Sequence, residues 1–380
     1  MTFQHTTNAV KITGLTTRLL ELDPTPRYGG HPIPAGRPDK WLYPLLIIHT
    51  DAGLDGYSMG YGPHGDGPAL VHNLHTIYRN ELVGENPLQT EWLWHKLMQK
   101  GRHLYTMTDS LVSVIDVACW DIKGKAATLP IAALLGLYRT KVPTYATGWQ
   151  FLPTEEQVFE EAVAQKNRGY HGYKLQLWQG PERDIPRLRL AREAVGDGFN
   201  LMQDANSGYQ YLDALRVGRE LDALDYLWFE EPIPDRQMRL VIELSQKLKT
   251  PVLPAETVRW GELGEFVRQG AFGMLRGDVH LKAGITGLSK AFGACQLVGM
   301  DLEIHTAATP LLDVANLHMA AAFRNCRFME HHHPIFRFGL KNDPLGIDAE
   351  GYMHVPTGAG LGVEIDWDWV DNHTVDLKTS

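Results

Sequence analysis

The chain has 380 residues, 44% hydrophobic and 21% charged, an ordinary globular composition long enough for two domains. A formal charge of −9 argues against a nucleic-acid partner, since a phosphate backbone selects a basic surface. No run approaches the ~20 apolar residues of a membrane span, and residues 1–10 lack the charged-then-apolar order of a secretion signal. Cys119, Cys295 and Cys326 are far apart in apolar contexts, as expected of buried thiols in a reducing compartment. The expectation is a cytoplasmic protein with no membrane or nucleic-acid partner.

In chain order, residues 9–65 alternate like antiparallel strands. Ile12 to Glu21 is one strand, and Leu45 to Thr50, Asp51-Ala-Gly and Gly56 to Gly60 form a hairpin. Between them, Asp23 to Lys40 is rich in Pro and Gly and carries Arg27, Tyr28, His31 and Arg37; a loop that long in a compact domain is usually functional or disordered. Residues 69–136 read as helices, with apolar spacing of three and four through Leu93–Leu97 and Leu111–Ile122. From Val142 short apolar runs alternate with amphipathic helices. The strand candidates are Thr144–Thr147, Gly172–Leu177, Leu201–Asp204, Tyr226–Glu230, Val252–Ala255, Met274–Asp278, Asp301–His305 and Phe328–Glu330. The helices between them include Glu155–Arg168, Asp184–Ala194, Tyr211–Leu221, Met238–Leu248 and Thr286–Val298. Repeated β-α units with short connections indicate a parallel barrel or a doubly wound sheet, and eight strands favour the barrel. The tail from about 350 has no clear periodicity beyond a short strand at Gly351-Tyr-Met and a turn at Gly358–Gly362. The expected fold is α/β, a TIM-like (β/α) barrel over 137–345, with an α+β capping domain formed by residues 1–136 and the returning segment 346–380.

In such barrels functional residues gather at the C-terminal ends of the strands. The polar residues that end the apolar runs are Lys174 and Gln176, then Asp204, Glu230, Glu256, Asp278, His305 and Glu330. Asp204, Glu230 and Glu256 follow one another at intervals of 26 residues, about one β-α-β step, so they fall on adjacent strands. Clustered carboxylates repel one another unless a cation neutralises them, and an all-oxygen donor set favours a hard divalent ion such as Mg²⁺. Taken singly, each of these acids reads as a surface charge; their shared spacing and strand-end context argue otherwise. Asp278 and His305 close neighbouring strands, where a carboxylate would orient the imidazole and favour a ring that cycles between base and acid. Lys174 and Gln176, two apart on one strand, face the same side. The lysine could stabilise negative charge on a substrate carboxylate, whereas the glutamine can hydrogen bond but cannot take a proton.

The pattern resembles the enolase superfamily, and within it the mandelate racemase subgroup, over nearly the whole chain. Ser113-Val-Ile-Asp-Val-Ala-Cys-Trp-Asp-Ile-Lys-Gly-Lys125 looks like the helix that ends the family's capping domain. Lys174-Leu-Gln176 stands in place of its Lys-x-Lys. Asp204-Ala-Asn206, Glu230-Glu231-Pro232 and Pro254-Ala-Glu256 match its three metal-ligand strands, and Asp278-Val-His-Leu-Lys-Ala-Gly-Ile-Thr-Gly287 with His305 matches its His-Asp dyad. Glu330 matches its last strand-end acid. The resemblance implies a Mg²⁺ cofactor on Asp204, Glu230 and Glu256 and removal of a proton alpha to a substrate carboxylate, giving an enediolate that the cation stabilises. Lys174 and a protonated Glu330 would then contact the substrate carboxylate, with Asn206 and Glu231 beside the ligands. The capping domain would close over the barrel mouth and bring Arg27, Tyr28, His31, Tyr61 and His64 toward the substrate; Arg27, Arg37 or Lys40 could bind a distal carboxylate. Assembly into a homo-oligomer is also implied.

The departure from the family matters most. With Gln176 in place of the second lysine, one face has lost its obvious base and His305 stands alone. A one-base site fits elimination, so the expected activity is dehydration of a small carboxylate, an acid sugar, to a 2-keto-3-deoxy acid. A racemase, epimerase or lactone cycloisomerase remains open and would need a second base, such as Lys174, or ring opening. A decayed binding protein would have lost ligands that are all present, and another metal-dependent barrel would not require the Asp278–His305 pair. His331-His332-His333 invites a transition-metal site, but consecutive residues on a strand point in different directions, so a packing role is preferred.

Overall fold

The computed structural model describes residues 10–28, 33, 36–63, 66–104, 109–148, 154–332 and 334–380. His31, His64 and His333 lie outside these, and Arg27 and Tyr28 are described through their backbone only.

Three long antiparallel runs start the cap: β1 (Ile12–Leu22), β2 (Trp41–Thr50) and β3 (Gly56–Met59). β2 begins earlier than its apolar core at Leu45 suggested, because Trp41 and Tyr43 are also buried and Trp41 stacks on Phe336. Gly56 is required here: a Cβ would lie 2.2 Å from the carbonyl oxygen of Ala118, so the hairpin packs directly on helix Asp109–Ala127. That helix is buried on nearly every side and joins the two halves of the molecule. Its Asp121 accepts from the backbone N–H of Tyr57 (3.0 Å) and of Leu361 (2.9 Å). Its Asp116 accepts from the N–H and hydroxyl of Thr286 (2.9 and 2.7 Å), placing a carboxylate at the N-terminus of helix Gly284–Leu297, where free N–H groups favour negative charge.

The barrel strands are β4 (Lys141–Thr147), β5 (Gly172–Gln176), β6 (Asn200–Asp204), β7 (Trp228–Glu230), β8 (Val252–Leu253), β9 (Met274–Gly277), β10 (Asp301–Ile304) and β11 (Met329–His331). All eight coincide with the sequence candidates to within a few residues. Strands β11-β4-β5-β6-β7-β8 form a continuous parallel run and β9 pairs with β10. Single backbone bonds close the circle, Arg276 N–H to the Pro254 carbonyl (2.8 Å) and Leu302 N–H to the Asn325 carbonyl (2.7 Å). The helices between the strands carry local signals for their ends. Thr154 and Gln157 make a reciprocal capping box at the start of helix Glu155–Asn167, each side chain accepting from the other's N–H at 3.2 Å. Tyr145, Met202, Trp228, Leu253 and Met274 fill the barrel interior as a dry floor.

The tail holds two strands. β12 (Tyr352–His354) pairs antiparallel with the first residues of β4, and β13 (Thr374–Thr379) pairs antiparallel with β1, giving the cap sheet the order β13-β1-β2-β3. The sequence concealed β13 because every side chain from Val375 to Thr379 is exposed and carries no in-out alternation. No described helix is long and apolar enough to cross a membrane.

One buried contact in this frame sets a pH dependence. His318, on helix Pro310–Ala322, accepts at Nδ1 from the Ala132 N–H (3.2 Å) and donates from Nε2 to the Leu361 carbonyl (3.0 Å), which fixes a neutral ring. Burial pushes its pKa down to about 4. The unfolded chain binds a proton near pH 6.5 and the folded one does not, so stability is fully present above pH 6.5 and is lost as pH falls toward 4, by about 2 kcal/mol at pH 5. In urea titrations at pH 7.5 and pH 5, the stability difference between the protein and a His318→Gln variant should shrink by about 2 kcal/mol. A difference that does not change with pH would mean that the ring is charged in the folded state.

Candidate active site

The strand ends bring the predicted polar residues to one rim in two layers, because residues two apart on a strand share a face. The deeper layer is ionic. Lys174 Nζ lies 3.1 Å from Glu230 and 2.8 Å from Glu330, while Arg276 lies 2.9 Å from Glu230 and 2.5 Å from Glu330. The four groups close a ring of alternating charge, with no side chain more than 1% exposed. Trp228 Nε1 donates to Glu230 (3.1 Å), and Glu330 also receives the Thr306 N–H (3.1 Å) and the Thr147 hydroxyl. For Lys174, Arg276 and Glu330 burial opposes the charge, but the opposite charges outweigh it. Lys174 and Arg276 are held well above their ordinary pKa, and Glu330 well below its own.

One expectation is corrected here: Glu330 is not a protonated hydrogen-bond donor, because Lys174 and Arg276 both bind it and hold it well below the ordinary carboxylate range. The Lys174 ammonium lies among Glu230, Glu330 and, at 3.6 Å, Asp204.

The upper layer is nearer solvent. Gln176 and Asp204 sit side by side on β5 and β6, and the same register continues to Glu230 of the ionic layer on β7. Gln176 Nε2 donates to Asp204 Oδ2 (3.1 Å), and Asp204 Oδ1 accepts the Asn206 N–H (2.8 Å). The backbone turns sharply as it leaves these strands: Asn206, Glu231 and Ala255 have φ of 45°, 37° and 83°, the left-handed region that side chains other than glycine enter at a cost of about 1–3 kcal/mol, and one that clusters at functional sites. Lys282, given no role from sequence, holds the last of these turns by donating to the carbonyls of Ala255, Glu256 and Val258 (2.9, 2.7 and 2.6 Å).

Negative charge is in excess here. Glu231 is pushed up to about 10 by burial and by the carboxylates of Glu256, Asp235, Asp204 and Glu230. Gln176 Oε1, Glu231 Oε1 and Asp235 Oδ1 are buried without a hydrogen-bond partner. Among the described residues, no three Asp, Glu, His or Cys side chains converge as a formed metal cage. Asp204 is turned to Gln176, Glu230 to Lys174 and Arg276, and Glu256 to His305.

Across the mouth stands the dyad. His305 Nδ1 is 2.7 Å from Asp278 Oδ2, and Asp278 is fully buried, with its other oxygen accepting the Leu281 N–H at 2.6 Å. Nε2 is thereby left toward the site, 3.5 Å from Glu256 Oε1, and the side chain is 26% exposed. Burial lowers the affinity of the ring for a proton, but Glu256, Asp278 and Glu330 outweigh it and hold the pKa up at about 9. Asp278 stays below the ordinary carboxylate range, since burial is outweighed by His305.

Three neighbours were missed from sequence. Arg276 precedes Asp278 by two residues in the strand Met274-Leu-Arg-Gly, and an arginine at that parity in a barrel strand was a readable signal. Asn316 accepts the Val279 N–H (2.9 Å) and donates to the His305 carbonyl (3.2 Å), which ties together the two loops that carry the dyad. His280 packs at a tilt against Tyr61 from the cap, ring centres 5.4 Å apart, and its buried Nδ1 has no partner. Tyr61 thus lies beside His280, two residues along the chain from Asp278, whereas Asn206 is exposed. His331 is bonded through Nδ1 to the Tyr170 hydroxyl (2.5 Å).

A barrel rim with a His-Asp dyad facing strand-borne carboxylates, closed by an α+β cap, defines an enzyme of the enolase type. Residues 157–369 match the enolase C-terminal domain-like family, and residues 30–136 match the mandelate racemase / muconate lactonizing enzyme N-terminal domain; the chain belongs to this family. It is 32% identical over 338 residues to an arabinonate dehydratase of Saccharolobus solfataricus, covering 85% of this chain and 89% of that one. It is 31% identical over 382 residues to a D-galactarolactone cycloisomerase of Agrobacterium fabrum, covering 94% and 97%. The crystal structure of a D-glucarate dehydratase from Agrobacterium tumefaciens complexed with magnesium superposes with a TM-score of 0.84 at 30% identity, covering 96% and 99%.

Proposed function

We propose that the protein is a Mg²⁺-dependent dehydratase of an acid sugar, acting in the cytoplasm. The observation that carries this reading is the state of Lys174. The one lysine left on the face opposite His305 is enclosed in an ion ring that keeps it protonated, and the neighbouring position is an amide. Among the described residues that face offers no base, so proton return to the opposite side, as racemisation needs, lacks a donor there. Elimination needs only His305.

Asp204, Glu230 and Glu256 would hold the cation, and the excess of carboxylates and the orphaned oxygens around them fit a hard divalent ion. When bound, Mg²⁺ supplies Lewis-acid stabilisation of the charge that develops on the substrate carboxylate. The protein's own part is proton handling. Asp278 accepts from Nδ1 of His305, so the ring in its neutral form presents the Nε2 lone pair to the alpha C–H. The C–H bond breaks and its electron pair moves into the carboxylate as an enediolate; the pair then returns to form the Cα–Cβ double bond as the β C–O bond breaks. The imidazolium returns its proton to the departing hydroxyl, water leaves, and the enol settles as the 2-keto-3-deoxy acid. Lys174 and Arg276 both pair with Glu230 beneath this chemistry. Free buried thiols at Cys119, Cys295 and Cys326 support a reducing compartment.

Screening the purified protein against mono- and diacid sugars with and without Mg²⁺ tests the reading. The expected result is a 2-keto-3-deoxy product from at least one acid, abolished by chelation, together with thermal stabilisation by Mg²⁺ alone of about 2.7 kcal/mol at a hundredfold excess over its dissociation constant. Stabilisation and alpha-deuterium exchange without water loss would favour lactone ring opening, the reaction named for the Agrobacterium fabrum relative. Neither exchange nor elimination across the panel would remove the enzyme reading.

A further inference from the structure

Of the three carboxylates that would hold the cation, two are held by the barrel itself. Asp204 and Glu230 end β6 and β7 and face each other in the ladder. Glu256 has no such support, because β8 stops at Leu253 and the sheet's hold ends at Pro254, whose carbonyl accepts the Arg276 N–H. Ala255 then turns through a φ of 83°. Past that point side chains hold the main chain. Asp235 Oδ2 accepts the Ala255 N–H (2.9 Å), and Lys282 Nζ donates to the carbonyls of Ala255, Glu256 and Val258 (2.9, 2.7 and 2.6 Å). An ammonium has three N–H groups, and these three carbonyls take them all. Lys282 is fully buried, and an ammonium is costly to bury unless its bonds are made. Its side chain therefore fixes one turn of backbone from three directions.

The other end of this tether is the loop of the dyad. The Lys282 N–H donates to the Asp278 carbonyl (3.0 Å), and the Leu281 N–H to Asp278 Oδ1 (2.6 Å). Asp278 and Glu256 flank His305, the first 2.7 Å from Nδ1 and the second 3.5 Å from Nε2. One side chain thus joins the two carboxylates on either side of the base. The strand below makes room for it: a Cβ on Gly277, which ends β9, would stand 3.1 Å from both Cγ and Cε of Lys282. The cap pins the same loop, since Trp94 Nε1 donates to the Ala283 carbonyl (2.7 Å).

We propose that Lys282 is a positioning residue for the metal. It holds Glu256, the one carboxylate of the three that lies off the sheet, where the cation needs it and in a fixed relation to the His305–Asp278 dyad. The inference rests on the Mg²⁺ reading given above and adds a determinant of metal affinity that contributes no ligand atom.

Calorimetric titration of Mg²⁺ into the full chain, stripped of metal and without substrate, tests it; melting curves with a chelator present confirm folding. Lys282→Met keeps the length of the side chain and removes its donors. It should raise the Mg²⁺ dissociation constant about 10–100-fold, the usual consequence of losing a group that orients a metal ligand. The effect should run through Glu256: in a Glu256→Gln background, adding Lys282→Met should change the constant less than about threefold, since residues that act through one another are not additive. Gly277→Ala leaves every donor and acceptor in place but presses on the Lys282 chain, and should raise the constant about threefold. A folded Lys282→Met protein that binds Mg²⁺ as tightly as the original overturns the proposal, and so do effects that multiply in the double variant; either result means that the lysine serves the fold alone. If Lys282→Met does not fold, Gly277→Ala decides, and an unchanged dissociation constant there overturns the proposal. An original protein that binds no Mg²⁺ removes the metal reading and this inference with it, a result distinct from tight binding by both original and variant.

Discussion

His305→Asn should lower alpha-proton exchange and water loss together, by about 10²–10⁴-fold, the contribution typical of a positioned general base. Asparagine can still donate to Asp278, so the buried carboxylate keeps a partner and the fold is preserved; what disappears is the Nε2 lone pair. The loss should fall on kcat with KM little changed, because the imidazole acts on the reacting C–H rather than on the bound ground state. Asp278→Asn offers a second, separable test. The amide can donate to Nδ1, which would move the ring proton to Nε2 and present an N–H where a base is needed. A loss of the same order is expected, because Asp278 acts through the ring it orients. Deuterium uptake followed by NMR, alongside product formation, measures both. Exchange retained above a tenth of the original rate in His305→Asn would show that another group takes the proton, and the one-base argument for elimination would fall with it.

What could be read in the sequence and what could not divides along physical lines. The eight barrel strands were visible because each is a short apolar run ending in one polar residue, and that residue was also the functional one. The spacing of Asp204, Glu230 and Glu256 translated directly into neighbouring strands, since β-α-β units of equal length repeat the same step. Partnership inside the barrel was not legible. Lys174 and Glu330 were recognised as strand-end charges, but the balance of their layer depends on Arg276, which supplies the second positive charge against Glu230 and Glu330 and was hidden within an apolar-looking strand. Asn316 belongs to a helix that carried no chemical signal, and its two bonds to the dyad loops exist only once β9 and β10 lie side by side. β13 was lost because a strand with both faces exposed has no periodicity to detect.

The second large effect concerns the ion ring. Lys174→Met, close in length and without charge, should destabilise the protein by about 3–5 kcal/mol, the usual consequence of removing one partner from a buried ion pair. The reason is electrostatic rather than steric. Glu230 and Glu330 would share Arg276 alone, leaving one buried negative charge uncompensated at a site no more than 1% exposed. Such a carboxyl has its folded pKa raised above its unfolded value, so the deficit is largest at high pH and is relieved as pH falls toward the unfolded value. Adding Glu330→Gln should recover part of the loss, because the pair is then removed together. The non-additivity measures the coupling between two residues whose charges lie 2.8 Å apart. Urea unfolding with a chelator present, at pH 5 and pH 8, separates this from any contribution of a bound cation. If Lys174→Met were as stable as the original at pH 8, Lys174 would not be the counter-ion of this layer, and the ground for excluding it as a second base would be gone.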